Sequence, residues 1–175
     1  MRDYALKEEP FSKKVLRQIP KAFTAAVLLL SVLPVSFGGY ASVRAPLIFI
    51  PLFYWLIFRP YSFSALAAFL FGLATDFLEN APLGVNSLVL LAFFMFASSQ
   101  RRFLTNKPFA FVWIGFGLIS LSCLILKWLV MSIWYARFLP FSLTFVSWLL
   151  LFLLYPFVAW VCAKLHIYLL EKEND

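Results

Sequence analysis

Two carboxylates stand inside a stretch that is otherwise almost wholly apolar: Asp76 and Glu79, in Phe71-Gly72-Leu73-Ala74-Thr75-Asp76-Phe77-Leu78-Glu79-Asn80-Ala81-Pro82-Leu83-Gly84. Three residues apart, they share one face of a helix, and paired carboxylates are the raw material of general acid–base chemistry. Nothing beside them supplies an electrophile or a nucleophile. The single histidine, His166, falls just past the last apolar run with no carboxylate near it, so no Ser/His/Asp set can be assembled. No His/Cys/Asp/Glu cluster has metal-ligand spacing. Gly38-Gly39 and Gly115-Phe116-Gly117 lack the lysine of a phosphate loop. Cys123 and Cys162 each lie inside an apolar run, at different depths, and read as small buried hydrophobes. These patterns point away from an enzyme, a cofactor or a metal. What remains is charge in apolar surroundings, which costs about 2.5–3.5 kcal/mol at the centre of a membrane helix and marks a functional site. A partner or water must offset that cost.

The elements that hold these residues follow from composition. The 175 residues are 63% hydrophobic and 13% charged, with mean hydropathy +0.90. A soluble domain is nearer half apolar and a quarter charged. Too little polar surface is present to cover a water-soluble globule, so the chain reads as an integral membrane protein. The 20% aromatic content suits lipid-facing packing, with Trp and Tyr near the interfaces. The net charge of +7 sits between apolar runs and reads as membrane topology, with no nucleic acid implied. No cleavable signal peptide is expected, because the first apolar run begins only near Ala22 and no soluble domain follows a small-residue cleavage pattern.

In chain order, residues 1–21 form a basic segment holding Arg2, Lys7, Lys13, Lys14, Arg17 and Lys21. Phe11, Val15, Leu16 and Ile19 share one helical face, as in a helix lying on an anionic leaflet and ending at Pro20. A flexible basic tail that only sets orientation is the alternative. Six apolar spans occupy residues 22–164: Ala22 to Phe37 with Pro34, then Pro46 to Phe58 bent at Pro51, Ser62 to Glu79, Val85 to Ser99, Pro108 to about Tyr135, and Phe141 to Lys164 with Pro156. Residues 165–175 form a polar tail. The second span is short for a bilayer that needs about 20 residues.

Six spans place both termini on one side. That side then receives the six N-terminal cations, Arg59, Arg101, Arg102, Lys107, Lys164 and Lys172, against Arg44 and Arg137 on the other. The positive-inside rule makes the crowded side cytoplasmic. Asp76 and Glu79 then lie toward the outer surface, as does Lys127, the one Lys or Arg well inside a span. An Asp76–Lys127 pair would keep both charges within the bundle; the alternative is a solvated Glu79 and a Lys127 that snorkels outward. Ala65, Ala68, Gly72 and Thr75 recur at three- and four-residue steps, a small-residue stripe that packs a helix, its own or a partner's.

The short Pro- and aromatic-rich span with Tyr54-Trp55 and Arg59-Pro60, then Gly72-x-x-x-Asp76-x-x-x-x-x-Pro82-Leu83-Gly84 and the basic Gln100-Arg101-Arg102, resembles the rod shape-determining membrane protein MreD family. The resemblance implies an all-α polytopic bundle of six transmembrane helices, similar to the substrate-binding components of energy-coupling-factor transporters. It implies a non-enzymatic scaffold in the bacterial inner membrane, with both termini cytoplasmic and no cofactor. The implied partners are the single-span MreC, the RodA–transpeptidase synthase and the MreB/RodZ assembly. Carried onto this chain, Gly72, Asp76, Pro82, Leu83 and Gly84 form a signature loop at the outer end of the third span; Glu79 and Lys127 are candidates from the reading of the charges alone, and Lys127 falls outside the family pattern. A second reading is a small-molecule-binding transporter component, with a cavity near Asp76 and Lys127. The polar inventory for such a site is thin.

Overall fold

The computed structural model describes residues 11–31 and 45–174, and side chains over 18–31 and 45–172. Among the described residues there are six α-helices and no strand: α1 (Phe11–Ser31), α2 (Phe49–Phe58), α3 (Ala65–Glu79), α4 (Val85–Leu104), α5 (Phe109–Trp134) and α6 (Phe141–Asn174), with one 3₁₀ turn at Pro60–Ser62. Pro34, Gly38-Gly39 and Arg44 lie outside the described residues.

The shortest helix is the core. Every residue of α2 from Phe49 to Ile57 is buried, with α1, α4 and α6 packed around it. Aromatic rings carry much of this packing. Phe49 meets Phe93 of α4 at 4.6 Å, and Phe53 meets Phe116 of α5 at 5.3 Å. Phe116 in turn stacks on Tyr155 of α6 at 4.4 Å. Pro51 does not break α2, which runs through it without interruption. It occupies the third helical position, where the missing N–H would have had no intrahelical acceptor. Arg101 reaches from α4 to donate through Nε to the carbonyl of Ile57 at 3.3 Å, which satisfies an open acceptor at the C-terminal end of α2.

Among the described residues, two helices are long and apolar enough to cross a membrane: α5, and α6 over residues 141–172. The other expected spans differ from full crossings for physical reasons. With 10 and 15 residues, α2 and α3 reach only about 15 Å and 22 Å. The 20 residues of α4 include Asn86 and Ser87 at one end and Ser98 to Arg102 at the other. Pro20 was expected to end a surface helix, but α1 runs through it. Thr24, one turn on, back-bonds its hydroxyl to the Pro20 carbonyl at 2.8 Å within the same helix. The expected polar tail after residue 164 continues α6 to Asn174.

Indole N–H groups fasten α5 to α6 and its connecting turn. Trp148 donates to the Gly117 carbonyl at 3.0 Å, and Trp128 donates to the Leu139 carbonyl at 3.1 Å. The third bond explains how α6 tolerates Pro156. Proline lacks the N–H that would bond the carbonyl four residues earlier. That carbonyl belongs to Phe152, and Trp113 donates to it at 3.0 Å. The Phe152 ring lies between those of Trp113 and Trp148, stacked at 4.8 Å and 5.5 Å.

Charge segregates by end. The C-terminal ends of α2 and α4 and the start of α5 carry Arg59, Arg101, Arg102 and Lys107, close to the second half of α6 with Lys164. The opposite end carries Asp76, Glu79 and Lys127. Cys123 and Cys162 are buried free thiols.

Candidate functional site

The acidic corner is built by the α3–α4 hairpin. Ser64 caps α3 by accepting from the Ala67 amide at 3.2 Å. Asn80 ends α3 in the left-handed conformation, φ 51°, which asparagine tolerates better than most residues. The turn then passes through Pro82, whose carbonyl accepts from Val85 at 3.3 Å, to Gly84 at φ +97°. Only glycine adopts that angle without strain, and it starts α4.

With glycine at this position, α4 has no side-chain cap of its own. Asp76 supplies one from the neighbouring helix. Its carboxylate accepts from the Gly84 amide at 2.8 Å, the Asn86 amide at 2.8 Å and the Ser87 hydroxyl at 3.3 Å. The first amides of a helix lack intrahelical acceptors and lie at the positive end of its dipole. A buried aspartate there is offset by three donors and a favourable field. Asp76 is 1% exposed.

The contact that brings Asp76 to these amides is made by Gly72. A Cβ on it would lie against the Cα of Ser87, 2.6 Å from the Ser87 nitrogen and 2.9 Å from the Asn86 carbonyl oxygen. The small-residue stripe therefore packs the chain's own α4: Ala68, Gly72 and Thr75 are buried, although Ala65 at the helix start is exposed.

Lys127 pairs with Glu79 and not with Asp76. Its Nζ lies 2.8 Å from Glu79 Oε2, which also accepts from Asn86 Nδ2 at 3.0 Å. The expected Asp76–Lys127 pair is absent because the Asp76 oxygens are already occupied by α4 amides. Glu79, one helical turn further on, faces α5. The alternative of a solvated Glu79 also fails, since its side chain is 16% exposed and that of Lys127 is 21% exposed. Carboxylate, amide and ammonium thus join α3, α4 and α5.

Of the residues singled out from sequence, Gly72, Asp76, Pro82 and Gly84 shape the hairpin, and Glu79 and Lys127 tie it to α5. Leu83 stands apart, 66% exposed beside Phe77 at 68%. Ser87 was missed by sequence reading. Its signal was position: a polar residue in the first turn of a helix that begins with glycine. His166, expected at a helix end, lies within α6, with Nδ1 3.4 Å from the Tyr54 hydroxyl.

A cavity of about 190 Å³ adjoins Lys127, bounded by Pro46, Trp128, Leu139, Thr144 and Ser147. Asp76 does not line it. Among the described residues, no group of three or more His, Cys, Asp or Glu is placed to hold a metal ion.

The family model described as rod shape-determining protein MreD matches residues 15–165. No curated protein and no solved structure matches the chain.

Proposed function

The chain belongs to the rod shape-determining protein MreD family, and from that premise we propose that it is a non-enzymatic scaffold of the cell-elongation machinery, binding a single-span MreC-like partner and helping to organise peptidoglycan synthesis. The family ties it to rod-shape determination and to the membrane. The proposal extends this to a six-element bundle in the bacterial inner membrane with both termini cytoplasmic. The segregation of Arg59, Arg101, Arg102, Lys107 and Lys164 to one end supports that orientation. The short α2 is compatible with it, because backbone at membrane depth is tolerated when buried in protein. The RodA–transpeptidase synthase and the MreB/RodZ assembly are the further partners proposed.

The observation that carries the scaffold reading is where the polar groups point. Asp76, Glu79, Asn86, Ser87 and Lys127 bond to one another or to α4 amides. What this corner presents outward is Phe77, Asn80 and Leu83, a surface for packing against protein or lipid. A small-molecule binder is the second reading, favoured by the cavity beside Lys127. Its volume of about 190 Å³ is below the roughly 300–1,000 Å³ of typical ligand pockets.

The test is copurification of tagged protein from a rod-shaped bacterium. A stoichiometric single-span partner is expected, weakened by Phe77→Arg or Leu83→Arg with the melting temperature unchanged. A tightly retained metabolite with no protein partner would overturn the scaffold in favour of the binder.

A further inference from the structure

A second cavity, of about 540 Å³, lies at the opposite, basic end. It is a groove between the end of α2, the start of α5 and the second half of α6. Its walls are Phe58, Phe109, Val112, Tyr155, Pro156 and Trp160, with Lys107 at the margin. Trp160 is 64% exposed and Phe109 53% exposed, so the groove opens on the flank that a membrane protein turns to lipid.

One ammonium group lines it and a second sits on one of its wall residues. Lys107 Nζ lies 5.0 Å above the Phe103 ring, and Lys164 Nζ lies 5.8 Å above the Trp160 ring. No carboxylate among the described residues is within ion-pair distance of either. Lys107 therefore stands at the rim of an apolar slot and Lys164 next to its Trp160 wall, each held over an aromatic face. That is the complement of an anionic amphiphile: acyl chain along the aromatic wall, phosphate at the lysine-bearing end. Basic residues at the cytoplasmic boundary attract anionic lipid in the same way.

We propose that this groove is a binding site for one anionic phospholipid. The inference rests on the membrane placement and is independent of the scaffold role, which copurification tests separately.

The experiment is native mass spectrometry of the full chain in detergent, given an equimolar mixture of phosphatidylglycerol and phosphatidylcholine with identical acyl chains. One phosphatidylglycerol per chain is expected to be retained preferentially, by roughly fivefold for each lysine. Lys107→Gln and Lys164→Gln should each lower the preference, and together abolish it, without changing the melting temperature. Ala163→Phe, which fills the groove wall, should remove the adduct while the lysines remain. Equal retention of the two lipids by the native protein overturns the site. So does a preference that survives the double lysine variant or Ala163→Phe, because the lipid then lies elsewhere. A protein helix found cross-linked at position 163 in place of lipid overturns it as well.

Discussion

Gly72 and Asp76 look in sequence like a packing notch and a stray charge, and their geometry makes them two halves of one device. The missing side chain at 72 lets the α4 backbone approach, and the carboxylate at 76 meets the amides thereby brought near. Gly72→Ala would press a methyl group on Ser87 and Asn86 main-chain atoms, and backbone yields less readily than a side chain. Destabilisation of about 1–3 kcal/mol is expected, as for other overpacked sites, read as a lower melting temperature in detergent. Asp76→Asn keeps the shape but replaces one acceptor oxygen with a donor. Either Gly84 or Asn86 then loses its partner, and a loss of about 1–3 kcal/mol is expected by chemical denaturation. Equal stability of this variant and the native protein would mean that the cap carries no weight.

Between elements, the couplings are side chains satisfying main-chain or charged groups on a neighbouring helix. Trp113→Phe should destabilise by about 1–3 kcal/mol, since it strands the Phe152 carbonyl that Pro156 already leaves without an amide. Pro156→Ala restores that amide. The double variant is therefore expected to recover most of the loss, a coupling that a thermodynamic cycle of melting curves measures. Additive effects would show that Trp113 acts through its ring stacking alone. The Glu79–Lys127 bond joins α3 to α5 in the same manner. Lys127→Gln leaves a partly buried carboxylate held only by Asn86, whereas Glu79→Gln with Lys127→Gln removes both charges. The single variant should be the less stable of the two, because an unpaired charge in apolar surroundings costs more than an absent pair.

At the scale of the whole molecule, the two charged ends define an axis: acidic hairpin at one end, basic helix ends at the other. In a background with Cys123 and Cys162 replaced, Leu83→Cys should react with an impermeant thiol reagent in intact spheroplasts. Thr105→Cys should react only after permeabilisation. Both positions are exposed and lie at opposite ends of α4. Labelling of both from one side would refute the proposed orientation.

What sequence alone could establish is what depends on composition and local pattern. Helix existence, the apolar character of the chain, the end-to-end charge asymmetry and the weight of the Gly72–Gly84 stretch all follow from residue type and spacing. Proline was harder to read. Pro51 and Pro20 each sit where a break or bend was expected, yet helix continues through both; at Pro51 the first-turn position removes the penalty, and at Pro156, expected inside a span, a donor from another helix does. Whether such a donor exists, as Trp113 does for Phe152, depends on residues tens of positions away. The same holds for the partner of Lys127. Asp76 and Glu79 are equally plausible in sequence. Only the close approach of α4 at Gly72, which claims the Asp76 oxygens for backbone amides, leaves Glu79 to take the lysine. That α2, the shortest helix, is the buried centre was likewise a tertiary outcome: ten apolar residues do not specify how many neighbours will surround them.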